Sequence, residues 1–434
     1  MTRPEISVPR QPTEAIAPPP SERTIITLIG AIQFINVLDF MMVMPLGPDL
    51  AAAVGIPASQ LGLLSFSYAA AACCAGALGA LFLDRFDRRS ALAVALLGLV
   101  VGTAAGGLAT GQWTMLLSRV VAGAFGGPAT SLSIAVVADA VPAERRGRAL
   151  GAVMGAFSVA SVFGVPAGLF LARHGGWRVP FFAVAGLGLI VGALAVLMLP
   201  PMRKHLAGAG RAGGAPGAGE VAPLPEVAIA EIVRRPEVPV ALMTVFLVMA
   251  ASFAIVPNLA AYLQANCGLP RRDLEYLYAL GGMFSFFSMR GVGRLVDRCG
   301  STLMAGVGTL VLLGVQTAGF LTGRMLLPMG VFFVLYMVAQ STRSVAMSTV
   351  TTRVPRPHER ARYQSLQSAV QHLGQGSGSL LGSFLLQELP DKRLGGMTRL
   401  TLTAMALALT LPPMLVWVQR RLAARNAAAL AVAS

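Results

Sequence analysis

The chain is poor in charge, and its charges are unevenly made up. Only 12% of its 434 residues are Asp, Glu, Lys or Arg, against about 25% in soluble domains. Of the 34 basic residues, just two, Lys204 and Lys392, are lysines. The net charge of +15 is not gathered into a basic run with interleaved aromatics, so nucleic acid is not expected as a partner. Cysteine is equally scarce. Cys73 and Cys74 are adjacent in an apolar run, and neither they nor Cys267 and Cys299 have CxxC or metal-ligand spacing, which argues against a disulfide framework and a zinc site. There is no G-x-x-x-x-G-K-[ST] phosphate loop, nucleophile elbow or metal-ligand cluster, so neither an enzyme nor a cofactor is expected. Residues 1–22 are Pro-rich with both charge signs and contain no short apolar core before a small-residue cleavage site. They read as a disordered tail, not a cleaved signal.

Apolar residues are abundant, at 55% with 48 glycines, and mean hydropathy is +0.69. A bilayer core of roughly 30 Å takes about 20 residues of helix. On that ruler the chain divides into spans at 25–46, 60–83, 90–109, 113–138, 149–172 and 179–200, then 238–264, 274–296, 302–321, 326–350, 363–387 and 398–419. The expected fold is all-α and membrane-integral, with twelve transmembrane helices. It comprises a cytoplasmic tail at 1–24, a six-helix bundle at 25–200, a linker at 201–237, a second six-helix bundle at 238–419 and a tail at 420–434. The linker contains AGAGRAGGAPGAGE, which offers no apolar face to bury. PEVAIAEIVRRPEV then reads as a short amphipathic segment on the membrane surface.

The basic residues orient the chain. With the amino terminus inside, 23 Lys and Arg fall on the inner side, 8 on the outer side, and Arg119, Arg290 and Arg343 lie within spans. This is a positive-inside bias, with both termini cytoplasmic. The halves also echo each other: Asp84–Arg85 recur as Asp297–Arg298 at an offset of 213, and Arg148 and Gly168 recur as Arg362 and Gly382 at 214. Such an offset marks a parallel six-helix repeat, a recurring transporter design.

ALFLDRFDRR, Ala80–Arg89, stands between the second and third spans. It resembles the G-x-L-x-D-R-x-G-R-R loop of the major facilitator superfamily, with Ala80, Phe82 and Asp87 departing from that pattern. GRLVDRCG, Gly293–Gly300, is a degenerate copy in the second half. The resemblance covers nearly the whole chain and implies a conformational latch of Asp84, Arg85, Arg88, Arg89, Asp297 and Arg298 at the inner face. RVVAGAFGGP, Arg119–Pro128, is similar to the family's fourth-helix pattern R-x-x-x-G-x-x-x-G, whose arginine is associated with proton coupling. GAFSVASVFGVPAGLFL, Gly155–Leu171, loosely resembles the antiporter pattern G-x-x-x-G-P-x-x-G-G of the drug:proton antiporters and arabinose-efflux-type permeases. That match implies a hinge at Gly164, Pro166 and Gly168.

Asp39 is the sharpest single candidate. It lies about 21 Å along a helix that begins at Ile25, deep in the apolar layer, and shares a polar stripe with Gln33 and Asn36. A carboxylate protonated in one conformation and charged in another is what proton-coupled exchange needs, and the alternative role is a structural ion pair with Arg119. In the second half Gln364, Gln367, Ser368, Gln371 and Gln375, with His372 at the edge, stripe the eleventh span. With Gln33, Asn36, Asn258, Tyr262 and Arg343 these are candidate cavity residues, and several could equally be interhelical hydrogen bonds. The expectation is a monomeric inner-membrane transporter of bacterial type that exports a small organic compound in exchange for protons. A proton-coupled importer and a non-transporting receptor or scaffold on the same fold are the alternatives.

Overall fold

The computed structural model describes residues 21–82, 85–200, 202, 229–322, 325–356 and 359–433. The Ser21 side chain accepts a hydrogen bond from the Thr24 amide at 3.2 Å and so caps α1 (Glu22–Met42), the first span. A short α2 (Gly47–Val54) follows and stops at Gly55, whose φ of +70° suits glycine. Spans two to four are α3 (Gly62–Phe82), α4 (Arg88–Gly107) and α5 (Gln112–Ala140). The fifth is broken into α6 (Ala143–Met154), α7 (Ala156–Val159), a π turn at Ala160–Gly164 and α8 (Val165–Gly175), and the sixth is α9 (Val179–Met198).

After the short α10 (Ile229–Arg234), spans seven and eight are α11 (Glu237–Ala265) and α12 (Leu274–Cys299). The ninth is α13 (Ser301–Gln316) with a π turn at Thr317–Leu321, and the tenth is α14 (Met329–Thr351). The eleventh is α15 (Arg360–Leu385), and the twelfth is α16 (Met397–Leu409) continued by α17 (Leu411–Ala433). The chain thus has the twelve-segment fold that the apolar runs predict. Two details differ: α17 stays helical through positions expected to be a tail, and spans eleven and twelve are joined by a two-stranded antiparallel hairpin, Gln387–Glu388 with Leu394–Gly395.

Among the described residues, nine helices are long and apolar enough to cross a membrane on length and composition alone. The segments that miss are spans five, eight and eleven. Span five is broken into helices of 12, 4 and 11 residues. The halves meet where α3 packs along α15 and where α8 and the π turn before it pack along α12. Close approach at the seam depends on missing side chains: a Cβ on Gly62 would overlap the Ser379 carbonyl, and one on Gly282 would sit 2.8 Å from the Ser161 carbonyl. On the outside of the bundle, Trp113, Leu197 and Phe384 are more than three-quarters exposed, as suits side chains against lipid, where packing rests on apolar contact alone.

Candidate functional site

Four helices of the first half converge on Asp39. The α1 carboxylate is completely buried, and the Arg119 guanidinium on α5 is 1% exposed. Nη1 of Arg119 donates to Oδ1 at 3.2 Å and to Oδ2 at 3.3 Å, and the Thr103 hydroxyl on α4 donates to Oδ1 at 2.7 Å. The same hydroxyl lies 2.8 Å from the Leu99 carbonyl, so its proton has a second acceptor whenever the carboxylate is neutral. Nη2 of Arg119 reaches the Gly102 carbonyl at 3.4 Å, and the guanidinium stands 5.2 Å from the Phe181 ring centroid on α9, within cation–π range. The residue at 106 must be small, since a Cβ on Gly106 would meet Arg119 Nη2 at 2.8 Å.

A lone charge at this depth would cost about 2.5–3.5 kcal/mol on insertion scales, and two opposite charges in contact offset much of that. Arg119 therefore turns inward to a carboxylate instead of snorkelling to the interface. Thr103 and Phe181 were not among the residues singled out from the sequence. An isolated hydroxyl and ring carry no motif, and they become visible only when α4 and α9 are packed on α1.

Asn36, one turn before Asp39, joins three helices. Its Nδ2 donates to the Gly126 carbonyl at 2.9 Å and to Thr130 Oγ1 at 2.7 Å, while the Tyr68 hydroxyl of α3 donates to its Oδ1 at 2.6 Å. Its amide is fully used in holding α1, α3 and α5 together, so this cavity candidate is occupied by internal bonds. Gly123 and Gly127 face α3, where a Cβ would overlap the backbone carbonyls of Tyr68 and Ala72. The spacing allowed close approach of a neighbour, and that neighbour is the second span. Overpacking typically costs about 1–3 kcal/mol, occasionally more, and here the obstacle is backbone. Gly127→Leu is accordingly expected to cut the yield of monodisperse protein in size-exclusion chromatography severely, whereas Gly186→Leu, where a Cβ has open space, is expected to leave it near native.

The other cavity candidates are scattered. His372 and Ser368 of α15 line a narrow crevice with Ala72, Gly76, Gly127 and Ser131 of the first half, so this part of the eleventh-span stripe lies against the opposite bundle. Gln367, Gln371 and Gln375 share that helix, with Gln375 buried. Gln33 is buried with no partner for Oε1, and Asn258 is completely buried with neither amide atom bonded. Tyr262 donates to the Gly319 carbonyl at 3.3 Å and packs edge-on to Phe320, inside the second half. Arg343 is completely buried in α14. In span five, Gly164 closes the π turn against Leu38, Pro166 stands two residues on in the first turn of α8, and Gly168 packs at ordinary distance on Met42.

Of the expected latch, Asp84 lies outside the described residues. Arg88 pairs with Asp139 at 3.5 Å within the first half, Arg85 is exposed, Arg89 is half-buried, and Asp297 and Arg298 are both exposed. Among the described residues, side-chain ion pairs that join the halves lie at the end opposite the loop after the second span. There Asp49 takes a fork from Arg271, with Nε at 2.9 Å to each oxygen and Nη2 at 2.5 Å. Arg173 pairs with Glu275 at 3.0 Å, and the Ala58 amide donates to Glu388 at 2.8 Å. Sequence reading counted these arginines only for topology.

The sequence matches the family model of the Major Facilitator Superfamily over residues 29–379. It is 31% identical over 314 residues to a chloramphenicol resistance protein of Streptomyces lividans, covering 72% of this chain and 76% of that one. It is 30% identical over 257 residues to the inner membrane transport protein YdhP of Escherichia coli K12, covering 58% of this chain and 62% of the relative. Among solved structures, a bacterial homologue of the human lysosomal transporter Spinster superposes with a TM-score of 0.67 at 18% identity, covering 92% of this chain and 95% of the other. The xylose transporter XylE from E. coli gives 0.67 at 16% identity, with 89% and 96% covered.

Proposed function

The chain belongs to the major facilitator superfamily, and on that footing we propose that this multi-pass membrane transporter exports a small organic compound in exchange for protons. The observation that carries the proton half is the Asp39–Arg119 pair, removed from water and completed by a hydroxyl with two acceptors. Protonating Asp39 cancels its attraction for Arg119, lets the Thr103 proton turn to the Leu99 carbonyl, and frees α1 to move against α4 and α5. A coupled carrier needs one such step: a bond that holds one arrangement and releases on protonation. Export is supported by the relative whose name is chloramphenicol resistance protein.

In this reading the two bundles, 25–200 and 238–419, rock about their seam. The π turn beside Pro166, lying against Gly282 of α12, supplies the pliable joint. The cluster of Arg85, Arg88 and Arg89 with Asp84, and Asp297–Arg298, would hold the inner face when the outer one opens. The test is flux in proteoliposomes of known orientation, under an imposed proton gradient, with a panel of phenicols, lipophilic dyes and pentoses. Movement of a compound against the direction of the protons is expected. Movement with the protons would make the chain an importer and overturn the reading, and gradient-independent movement of every compound would remove the proton from it.

A further inference from the structure

A second buried cation lies in the other half, and among the described residues it has no counterion. Arg343, midway along α14, is completely buried. Its Nη1 donates to Gln340 Oε1 at 2.9 Å, while Nε and Nη2 have no hydrogen-bond partner. Among the described residues no carboxylate pairs with it, in contrast to Arg119. Tyr336, two turns earlier, is completely buried on the same face of α14, and Tyr278 of α12 packs edge-on to the nearby Phe333. Both hydroxyls are without hydrogen-bond partners. Thr309 is likewise unbonded, and it adjoins Gly308, whose missing side chain leaves room for Arg343 Cγ. Buried polar groups in proteins are ordinarily satisfied, and here the unsatisfied atoms are Arg N–H and Tyr and Thr O–H groups.

Gln340, which accepts from Arg343, is itself only half-buried. A cluster with positive charge and spare donors is complementary to a hydrogen-bond-accepting anion. We propose that Arg343, with Tyr336, forms an anion site that takes a small inorganic anion or the carboxylate of an organic cargo. The site stands apart from the proton step, and its test reads heat stability without flux.

The experiment is the melting temperature of the purified full chain in nanodiscs, in sodium chloride, sodium nitrate or sodium benzoate against sodium gluconate at equal ionic strength, the gluconate carboxylate carrying a bulky polyol. The native protein is expected to gain about 2 °C or more, saturably, from at least one of the small anions. Arg343→Met is expected to show no anion response and to melt no lower than the native chain in gluconate, because it removes an uncompensated buried charge. Tyr336→Phe keeps the cation and should weaken the response. Stabilisation by chloride or nitrate assigns the site to an inorganic anion, and stabilisation by benzoate alone assigns it to a carboxylate-bearing cargo. A native protein that melts identically in all four salts, or an Arg343→Met chain that responds as the native does, would overturn the proposal. If Arg343→Met fails to fold, the native salt series and Tyr336→Phe still decide.

Discussion

Asp39→Asn is expected to abolish gradient-driven flux, by about 100-fold or more as proton-transferring groups go, and also to weaken the fold. The two effects have separable causes. An amide still fits the space and still accepts a hydrogen bond from Arg119, but it leaves a full positive charge among α1, α4, α5 and α9 with nothing to balance it. Stranding one partner of a buried ion pair costs about 3–5 kcal/mol. Converting both partners to neutral groups leaves no stranded charge, so the double variant Asp39→Asn with Arg119→Met should recover most of the heat stability. It should not recover coupling, because neither residue can then exchange a proton or respond to one. Heat stability and flux measured on the two single variants and the double form a cycle that separates structure from transport. If the double variant is both stable and coupled, the proton travels elsewhere and the pair is only a strut. If Asp39→Asn alone is as stable as the native chain and still coupled, both halves of the argument fail.

Whether the pair exists was legible from the sequence, because each charge had to be paid for inside an apolar run and each was the other's nearest plausible remedy. The choice between proton carrier and structural pair was not legible, since both roles use the same two residues at the same depth. The twelve segments could be read for a related reason: an apolar run of bilayer length has few other uses. Local geometry was read less well. The break in span five coincides with Pro166, but its form as a π turn, lying against Leu38 and Gly282, has no signal in the residue pattern. The hairpin between α15 and α16 rests on two-residue strands with no apolar alternation to detect. Asn36 looked like a cavity residue because a polar side chain on a membrane helix must meet either water or a partner, and one-dimensional spacing could not reveal Tyr68, Gly126 and Thr130 as its partners. In the second-half stripe, His372 and Ser368 lie against the opposite half, at the α3–α15 seam.

The contacts at the end opposite the arginine-rich loops predict what should hold the halves together there. Asp49 and Arg271 are each 26% exposed, and Arg173–Glu275 has its carboxylate 7% exposed, so neither is a freely solvated surface pair of about 0–1 kcal/mol. The fork geometry at Asp49 adds two parallel charge-assisted bonds, and a contribution of about 1.5–3 kcal/mol is reasonable for such a contact. Because each pair joins one half to the other, separating the halves at this end must break both, whereas the pairs at the other end, Arg145–Glu22 and Arg425–Glu237, lie within single halves. Asp49→Asn is therefore expected to raise the population open at this end by about tenfold or more. Adding Glu275→Gln should raise it further, because it removes the second pair that joins the halves. The measurement is the distance distribution between spin labels at Ala53 and Arg272, in a chain whose four native cysteines are replaced. The native form should give one short distance, Asp49→Asn a longer population beside it, and the exchanged pair Asp49→Arg with Arg271→Asp the short distance again. An unchanged distribution in Asp49→Asn would mean that helix packing along the α3–α15 seam alone keeps this end shut, and that the ion pairs merely decorate it.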